Sequence, residues 1–517
     1  MNYKGFVSLS VALCLSLSHS AASASIEDAK KAYALRDYDT AFQHYQYLAE
    51  VGQASALYQL GLMHYSGQGT TQNKVEAVLW LFLATEQAYE DSEQLSRAIL
   101  KELTPEQITE LKGRLTSMAK NFSQAAVQEM YMPELYPSKF EKNILINSEE
   151  GLLFGLEDED GLTNDVFAEA DNMIEVNLFP FDDDEDDSSF DVDYITRSIQ
   201  SRNDVVNPFN RPYFLIVDYR VAPDGTVRDV EVVQSFGYTK RALRKFKEAK
   251  YPSPEFDGQL VNSRQRRALG IAQSDISLRD MMDKYDYVYR GVKGILAKKD
   301  SEEAKDEYKY AVTLMNFEGL WREEGEIDAK LQSASEKGYA NAQYVYADKL
   351  YREQNNIQKS IYWMTEAAKQ GIVNAEYRLG EMFLESPWVK RDEKKALFWL
   401  DRAAKQGHVF ALRRSAHLRL LAEDESLHDP KVAMTSLDRI SIVEKMNPEL
   451  LYLKARGLLK VDRTNRPKAV IMIRQAIMRG DQLGWDTSDW NEVLMGWTTG
   501  GSVTVQDDID ISNLETE

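Results

Sequence analysis

Apolar positions recur along this chain at two periods, and the change of period divides it. An alanine-rich stretch closed by glycine occurs at Ala334 to Gly338, Ala367 to Gly371 and Ala403 to Gly407, with the glycines 33 and 36 residues apart. Four residues beyond each glycine stands Ala342, Ala375 or Ala411, and after Ala375 the pattern runs on into Leu379-Gly380. The same arithmetic governs Gly52, Ala56 and Leu60-Gly61, and in both blocks a tryptophan follows the leucine by 20 residues, at Trp80 and Trp399. The spacing predicts pairs of antiparallel helices. Alanines let facing helices approach, Gly338, Gly371 and Gly407 end helices in a left-handed conformation, and Trp80, Trp363 and Trp399 fill space between turns. Gly61 and Gly380 are further repeat positions. Each pair leaves an apolar face that only its neighbour covers. Weaker copies at Ala433, Ala469, Ala476 and Gly480 carry the register towards Trp497, and Thr104-Pro105-Glu106-Gln107 opens a capped helix that closes the first block.

Between the blocks the pattern alternates. Leu215, Val217, Tyr219 and Val221 share one face of a strand, Pro223-Asp224-Gly225 turns, and Val227 to Val233 returns. Tyr238 to Lys250 reads as a helix with Ala242, Leu243, Phe246 and Ala249 on its apolar side, and Val261 to Ile271 supplies a third strand. The expected fold is mainly α, with two helical-repeat solenoid blocks flanking a small α+β domain with a three-stranded antiparallel sheet. The expected boundaries are repeats over 25–140 and 331–498, an acidic linker over 141–200, the α+β domain over 201–273, a helical connector over 274–330 and an acidic tail from 499 to 517.

The first residues read as an address. Lys4, the apolar run Phe6 to Leu17 and Ala22-Ser23-Ala24 predict a cleaved secretory signal over 1–24, hence a periplasmic chain without a stable transmembrane segment. Cys14, the only cysteine, would leave with it, which excludes disulfide and thiol chemistry. A net charge of -21 argues against nucleic acid, whose affinity comes from Lys and Arg neutralising phosphates. Most of that charge lies between Asn143 and Thr196, where 18 acidic residues meet no Lys or Arg. Three readings of this stretch stay open. It is an extended linker, or it docks onto the basic middle domain or a partner, since Phe154, Phe167, Phe179, Phe181 and Phe190 are many for a solvated run. The third reading is calcium binding at Asp182, Asp184 and Asp186, although Asp187 and Asp193 stand where an EF-hand loop needs Gly and Glu.

The repeat segments Ala56 to Ala88 and Ala342 to Gly407, above all Ala375-Glu376-Tyr377-Arg378-Leu379-Gly380 followed by Lys395-Ala396-Leu397-Phe398-Trp399, resemble the Sel-one-like (SLR) repeats, relatives of the tetratricopeptide repeats. That resemblance implies protein binding or scaffolding. The order strand, Asp-Gly turn, strand, helix, Lys250-Tyr251-Pro252-Ser253-Pro254, strand over Asn207 to Ile271 resembles the C-terminal domain of the TonB family. It implies a periplasmic protein-binding module that contacts TonB-dependent outer-membrane receptors by strand addition. Arg264, Arg266 and Arg267 on the last strand are candidate partner-binding residues, as are Arg241, Arg244 and Lys245 on the helix. The alternative for the strand arginines is an edge protected by charge.

No catalytic, cofactor or metal residue is assigned. His44, His64, His408, His417 and His428 show no metal-type pairing, and neither a Gly-x-Ser-x-Gly elbow nor a P-loop is present. The function expected is a non-enzymatic periplasmic scaffold or adaptor. An accessory of TonB-dependent transport is the alternative, and a calcium-dependent or hydrolytic envelope enzyme a third.

Overall fold

The computed structural model describes residues 25–146, 213–237, 239–270 and 286–498, with Ala272, Leu278, Arg279 and Met282 between. The expected signal, most of the acidic stretch with its calcium reading, and the tail lie outside the described residues. The N-terminal helices are α1 (Ile26–Ala34), α2 (Tyr38–Ala49), α3 (Ala54–Ser66), α4 (Lys74–Thr85), α5 (Ser92–Leu100), α6 (Pro105–Phe122) and α7 (Gln124–Tyr131). The central residues form β1 (Phe214–Val221), β2 (Val227–Phe236), α8 (Lys240–Phe246), the short ladder β3 (Glu255–Phe256) and β4 (Gln259–Leu260), and β5 (Ser263–Gly270). There follow α9 (Asp286–Leu296), α10 (Ala304–Asn316), α11 (Glu326–Glu336), α12 (Ala340–Arg352), α13 (Ile357–Lys369), α14 (Val373–Glu385), α15 (Glu393–Lys405) and α16 (Val409–Leu421). The last helices are α17 (Pro430–Arg439), α18 (Pro448–Val461), α19 (Arg466–Gln482) and α20 (Ser488–Thr498).

The repeat arithmetic has a steric cause. Gly338, Gly371 and Gly407 end α11, α13 and α15 at φ of 84°, 79° and 90°, a region that side-chain-bearing residues rarely adopt. Gly61 and Gly380 act differently. A Cβ on either would stand 2.6 and 2.7 Å from the Cγ of Leu81 and Leu400, so glycine there permits the same close crossing of α3 on α4 and of α14 on α15. Ala56, Ala342, Ala375 and Ala411 are fully buried. The helix after Leu103 begins as expected, with Thr104 and Gln107 exchanging side chain-to-backbone hydrogen bonds of 3.0 and 3.3 Å.

In the three-stranded sheet β1 is central, antiparallel to β2 on one side and β5 on the other. Leu215, Val217, Tyr219 and Val221 pack under Ala242 and Phe246 of α8 and Ala249 just after it. On the opposite face Phe214 and Ile216 meet Val288 and Val292 of α9 and Tyr310, Leu314 and Phe317 at α10. The connector thus forms the floor of the sheet, and β1 is covered on both faces. The helix expected to reach Lys250 stops at Phe246, because the hairpin turn captures the following backbone: Lys250 bridges Thr226, and Tyr251 N–H donates to Gly225 O at 2.8 Å.

The two repeat blocks touch directly, where a linker-joined pair of solenoids was expected. The chain after α7 runs along the C-terminal repeats. Trp399 Nε1 donates to Tyr131 O at 2.8 Å, Lys395 Nζ to Met132 O at 2.9 Å, and Trp388 Nε1 to the carbonyls of Lys139 and Lys142. Tyr131 stacks on Phe398, and Val51, Val127, Met132 and Ile144 belong to the same buried cluster as the C-terminal repeats. Trp363 is buried too, whereas Trp80 is half-buried against Phe122.

Trp399 has no exposed surface, so Trp399→Ala is expected to cost about 3–5 kcal/mol, the range for truncating a buried large aromatic, in urea denaturation. A loss under about 1 kcal/mol would mean that this packing is not what holds the helix pair together.

Candidate functional site: a charged seam between sheet and repeats

The alternation that gives β1 its apolar face also places Asp218 and Arg220 on the other face, beyond Phe214 and Ile216. There the sheet leaves its helical floor and rests on the first helices of successive repeats, α12, α14 and α16. Asp218 accepts two hydrogen bonds from Arg266, at 2.7 and 2.9 Å, and a third from Arg264 at 3.0 Å. Arg264 Nε donates to Asp348 of α12 at 2.7 Å, and Arg352 closes the cluster on Asp348 at 2.8 Å. Beside it Glu231 of β2 receives Arg378 of α14 at 3.0 Å.

A second cluster is centred on Arg413 of α16, whose side chain is 1% exposed. It pairs with Asp229 of β2, with Glu444, and with Glu449 of α18 at 3.0 Å. Asp229 adopts a φ of 50° where the pairing of β1 with β2 is irregular, and this aims its carboxylate at both Arg413 and Arg220. Arg220 extends to Glu385 of α14 at 3.1 Å, and Arg414 joins Glu381 to Glu385. Where Arg414 and Glu385 reach the rim, a cavity of about 220 Å³ opens, lined also by Arg391, Glu393 and His417. At the tip of the hairpin, Arg228 lies over the Trp485 ring at 4.2 Å.

A third cluster joins the two repeat blocks. Arg402 of α15, fully buried, binds Glu376 at 2.9 Å, Glu50 at 2.9 Å and the carbonyl of Tyr47 at 3.0 Å, while the Tyr47 hydroxyl donates to Glu376.

The electrostatics follow from burial set against these partners. Burial alone would raise the Asp218 carboxyl, but Arg266 and Arg264 outweigh it and hold it well below the carboxylate range. Asp229 is likewise lowered, burial being overcome by Arg220 and Arg413. Glu231 goes the other way. Burial pushes it up to about 7; Arg264 opposes this, and the negative Asp218 and Asp348 add to it. His408 is held down near 4 by burial and by Arg264, and its ring stacks on Tyr377. Among the described residues no group of three or more His, Cys, Asp or Glu is placed to hold a metal, and no helix is long and apolar enough to cross a membrane.

A family model of the Sel1 repeat matches residues 32–52, 54–89, 340–372 and 373–408. These four segments are Sel1 repeats. The first pair is α2 with the end of α1, then α3–α4; the second is α12–α13, then α14–α15. Repeats of this kind are protein-interaction scaffolds, and the matched segments lie outside the central sheet. No curated protein matches the chain. Among solved structures the chain is similar to a Sel1 repeat protein from Oxalobacter formigenes, at 20% identity over 40% of this chain and 58% of that one, TM-score 0.30. It is also similar to c5321, described as a protective antigen present in uropathogenic Escherichia coli strains displaying an SLR fold, at 15% identity over 90% of this chain and 76% of that one, TM-score 0.30.

The candidate partner-binding arginines divide. Arg264 and Arg266 face inward and pair with Asp218 and Asp348, because antiparallel pairing to β1 sets them on the face that meets the repeats. Arg267, one position on, falls on the α8 side near Tyr219. Arg244 is exposed on α8, with Arg241 and Lys245 half-buried. Sequence reasoning missed Asp218, Arg220, Asp229, Glu231, Arg402, Arg413 and Arg414. One signal was present, because Phe214 and Ile216 are apolar on what an alternating pattern assigns to solvent.

Arg413→Met leaves Asp229, Glu444 and Glu449 confronting one another, and is expected to destabilise the chain by about 3–5 kcal/mol in chemical denaturation, as when one partner of a buried pair is removed. A second expectation concerns pH. A raised carboxyl contributes stability that is complete in acid and is lost as pH rises through its folded-state value, so wild type and Glu231→Gln should melt alike near about pH 5, with wild type falling below the variant towards about pH 8. Parallel melting profiles across that window would place the Glu231 carboxyl in its ordinary range.

Proposed function

We propose that this chain is a non-enzymatic, periplasmic protein-interaction scaffold in which both repeat blocks and the central domain act as one packed body. The observation that carries the reading is the four Sel1 repeats, a class of interaction scaffold. The apolar run Phe6 to Leu17 followed by Ala22-Ser23-Ala24 supports the location. The sheet modifies how the scaffold works. It occupies the face of α12, α14 and α16, so a partner meets the remaining repeat faces and the N-terminal block, where Leu35, Phe82 and Leu100 are exposed.

A second reading, an accessory of TonB-dependent transport, has in its favour the order β1, turn, β2, α8, β5 with β2 and β5 as edges of the sheet. On that reading β5 is the strand a receptor segment would extend. Against it stands the engagement of Arg264 and Arg266 within the chain.

The scaffold reading is tested with the full-length gene product in cells. Mass spectrometry should find the N-terminus at Ser25 in the periplasmic fraction. Crosslinking there, followed by reconstitution with the captured partner, should give a saturable, stoichiometric complex that titration with a TonB-box peptide does not displace. A cytoplasmic chain retaining residues 1–24 overturns the location, and displacement by the peptide turns the assignment to the transport reading.

A further inference from the structure

One charged surface has no counterpart among the described residues. Lys240, Arg244 and Lys250 are exposed on α8 and the turn after it, with Arg241 half-buried beside them. Glu248 is the sole acid between Thr239 and Tyr251. In the seam each arginine meets one to three carboxylates. On α8 no described carboxylate pairs with Lys240, Arg241, Arg244 or Lys250, although Asp and Glu outnumber Lys and Arg by 83 to 62 in the chain.

The missing counter-charge is concentrated in one place. Residues 147–212 contain all 18 acids of the stretch that lacks Lys and Arg, six of them consecutive at Asp182 to Asp187. Both ends of that segment are anchored on the central domain. Before it, Leu145 exchanges backbone hydrogen bonds of 2.8 and 2.9 Å with Glu255; after it, Tyr213 packs into the cluster formed by Leu243, Phe246 and Tyr251 at α8 itself. A stretch tethered at both ends to one domain, with its second end beside a surface of opposite sign, meets that surface at an effective concentration in the millimolar range, which turns weak exposed charge pairs into an occupied contact.

We propose that the acidic segment, through Asp182 to Asp187, is the occupant of the basic face of α8 within the same chain. The contact is electrostatic and exposed, so it weakens as the screening length shrinks with salt. It leaves the buried seam untouched, because α8 and the repeats cover opposite faces of the sheet.

The test uses the mature full-length chain. Zero-length carbodiimide coupling, mapped by mass spectrometry, should join carboxylates of 182–187 to Lys240 and Lys250 within one chain, at a yield independent of protein concentration that falls about fivefold between roughly 0.05 and 0.5 M salt. Arg241→Gln with Arg244→Gln keeps both amines and should lower that yield severalfold. As a second readout, Asp182→Asn, Asp183→Asn, Asp184→Asn, Glu185→Gln, Asp186→Asn and Asp187→Asn together should speed acylation of Lys240 and Lys250 by an amine-reactive ester, while lysines of the repeats react as before. Coupling spread evenly over the surface lysines, or acylation rates unchanged by neutralisation, overturns the proposal. Coupling between chains that rises with concentration overturns it as well, and makes a second copy the occupant.

Discussion

The arrangement of this protein depends on arginines that have been taken out of water and must therefore be met by carboxylates from another element. Moving a guanidinium and a carboxylate from solvent into a protein interior costs several kcal/mol per ion before they attract each other, and only close, hydrogen-bonded geometry returns that cost. Arg413, Arg402 and Arg264 satisfy the condition with partners drawn from different parts of the chain: Arg413 from β2 and the last repeats, Arg402 from the N-terminal block, Arg264 from β1 and α12. A hydrophobic interface of the same size would tolerate sliding. These pairs do not, because a small displacement leaves several buried charges unpaired at once. The charged clusters thus set where the sheet sits on the repeats and where the N-terminal block sits on the C-terminal one.

This changes what the repeats offer. A helical-repeat array is built by stacking units whose faces only neighbours can cover, and it ordinarily presents a long surface on one side. Here the first helices of the C-terminal pairs spend that surface on the central sheet, while the segment after α7 lies along Trp388, Lys395 and Trp399. The central domain is in this respect a resident of the repeat array. Its own two faces are occupied as well, by α8 on one side and by α9, α10 and the seam on the other. Among the described residues, the outer side of α8, the edges of the sheet and the N-terminal helices face away from this packing.

The seam also carries two opposed pH responses. Glu231 is raised by burial and by Asp218 and Asp348, so its contribution weakens as pH rises, whereas His408, buried beside Tyr377 and lowered, favours the neutral side. Asp218 and Asp229, held low by their arginines, stay charged across the same window. Glu376, Glu381 and Glu444, which pair with Arg402, Arg414 and Arg413, are raised by burial as well, so these arginine pairs share the direction of the Glu231 response.

The sequence by itself determined the helix pairs, their caps and the hairpin, because these follow from local rules. A glycine at φ near 80°, an alanine every turn or two at a helix crossing, the reciprocal bonds of Thr104 and Gln107 and an Asp-Gly turn act within a few residues, and each was legible. The three-stranded sheet followed from the period of two. What only the tertiary structure decided is where the blocks sit and which charges are internal. Arg264 and Arg413 are, as letters, ordinary surface residues. Nothing within several positions of either distinguishes a solvated guanidinium from one that meets Asp348 84 residues away or Asp229 184 residues away. Burial of a charge is a property of the surface opposite it, and that surface exists only once the sheet and the repeats have folded against each other.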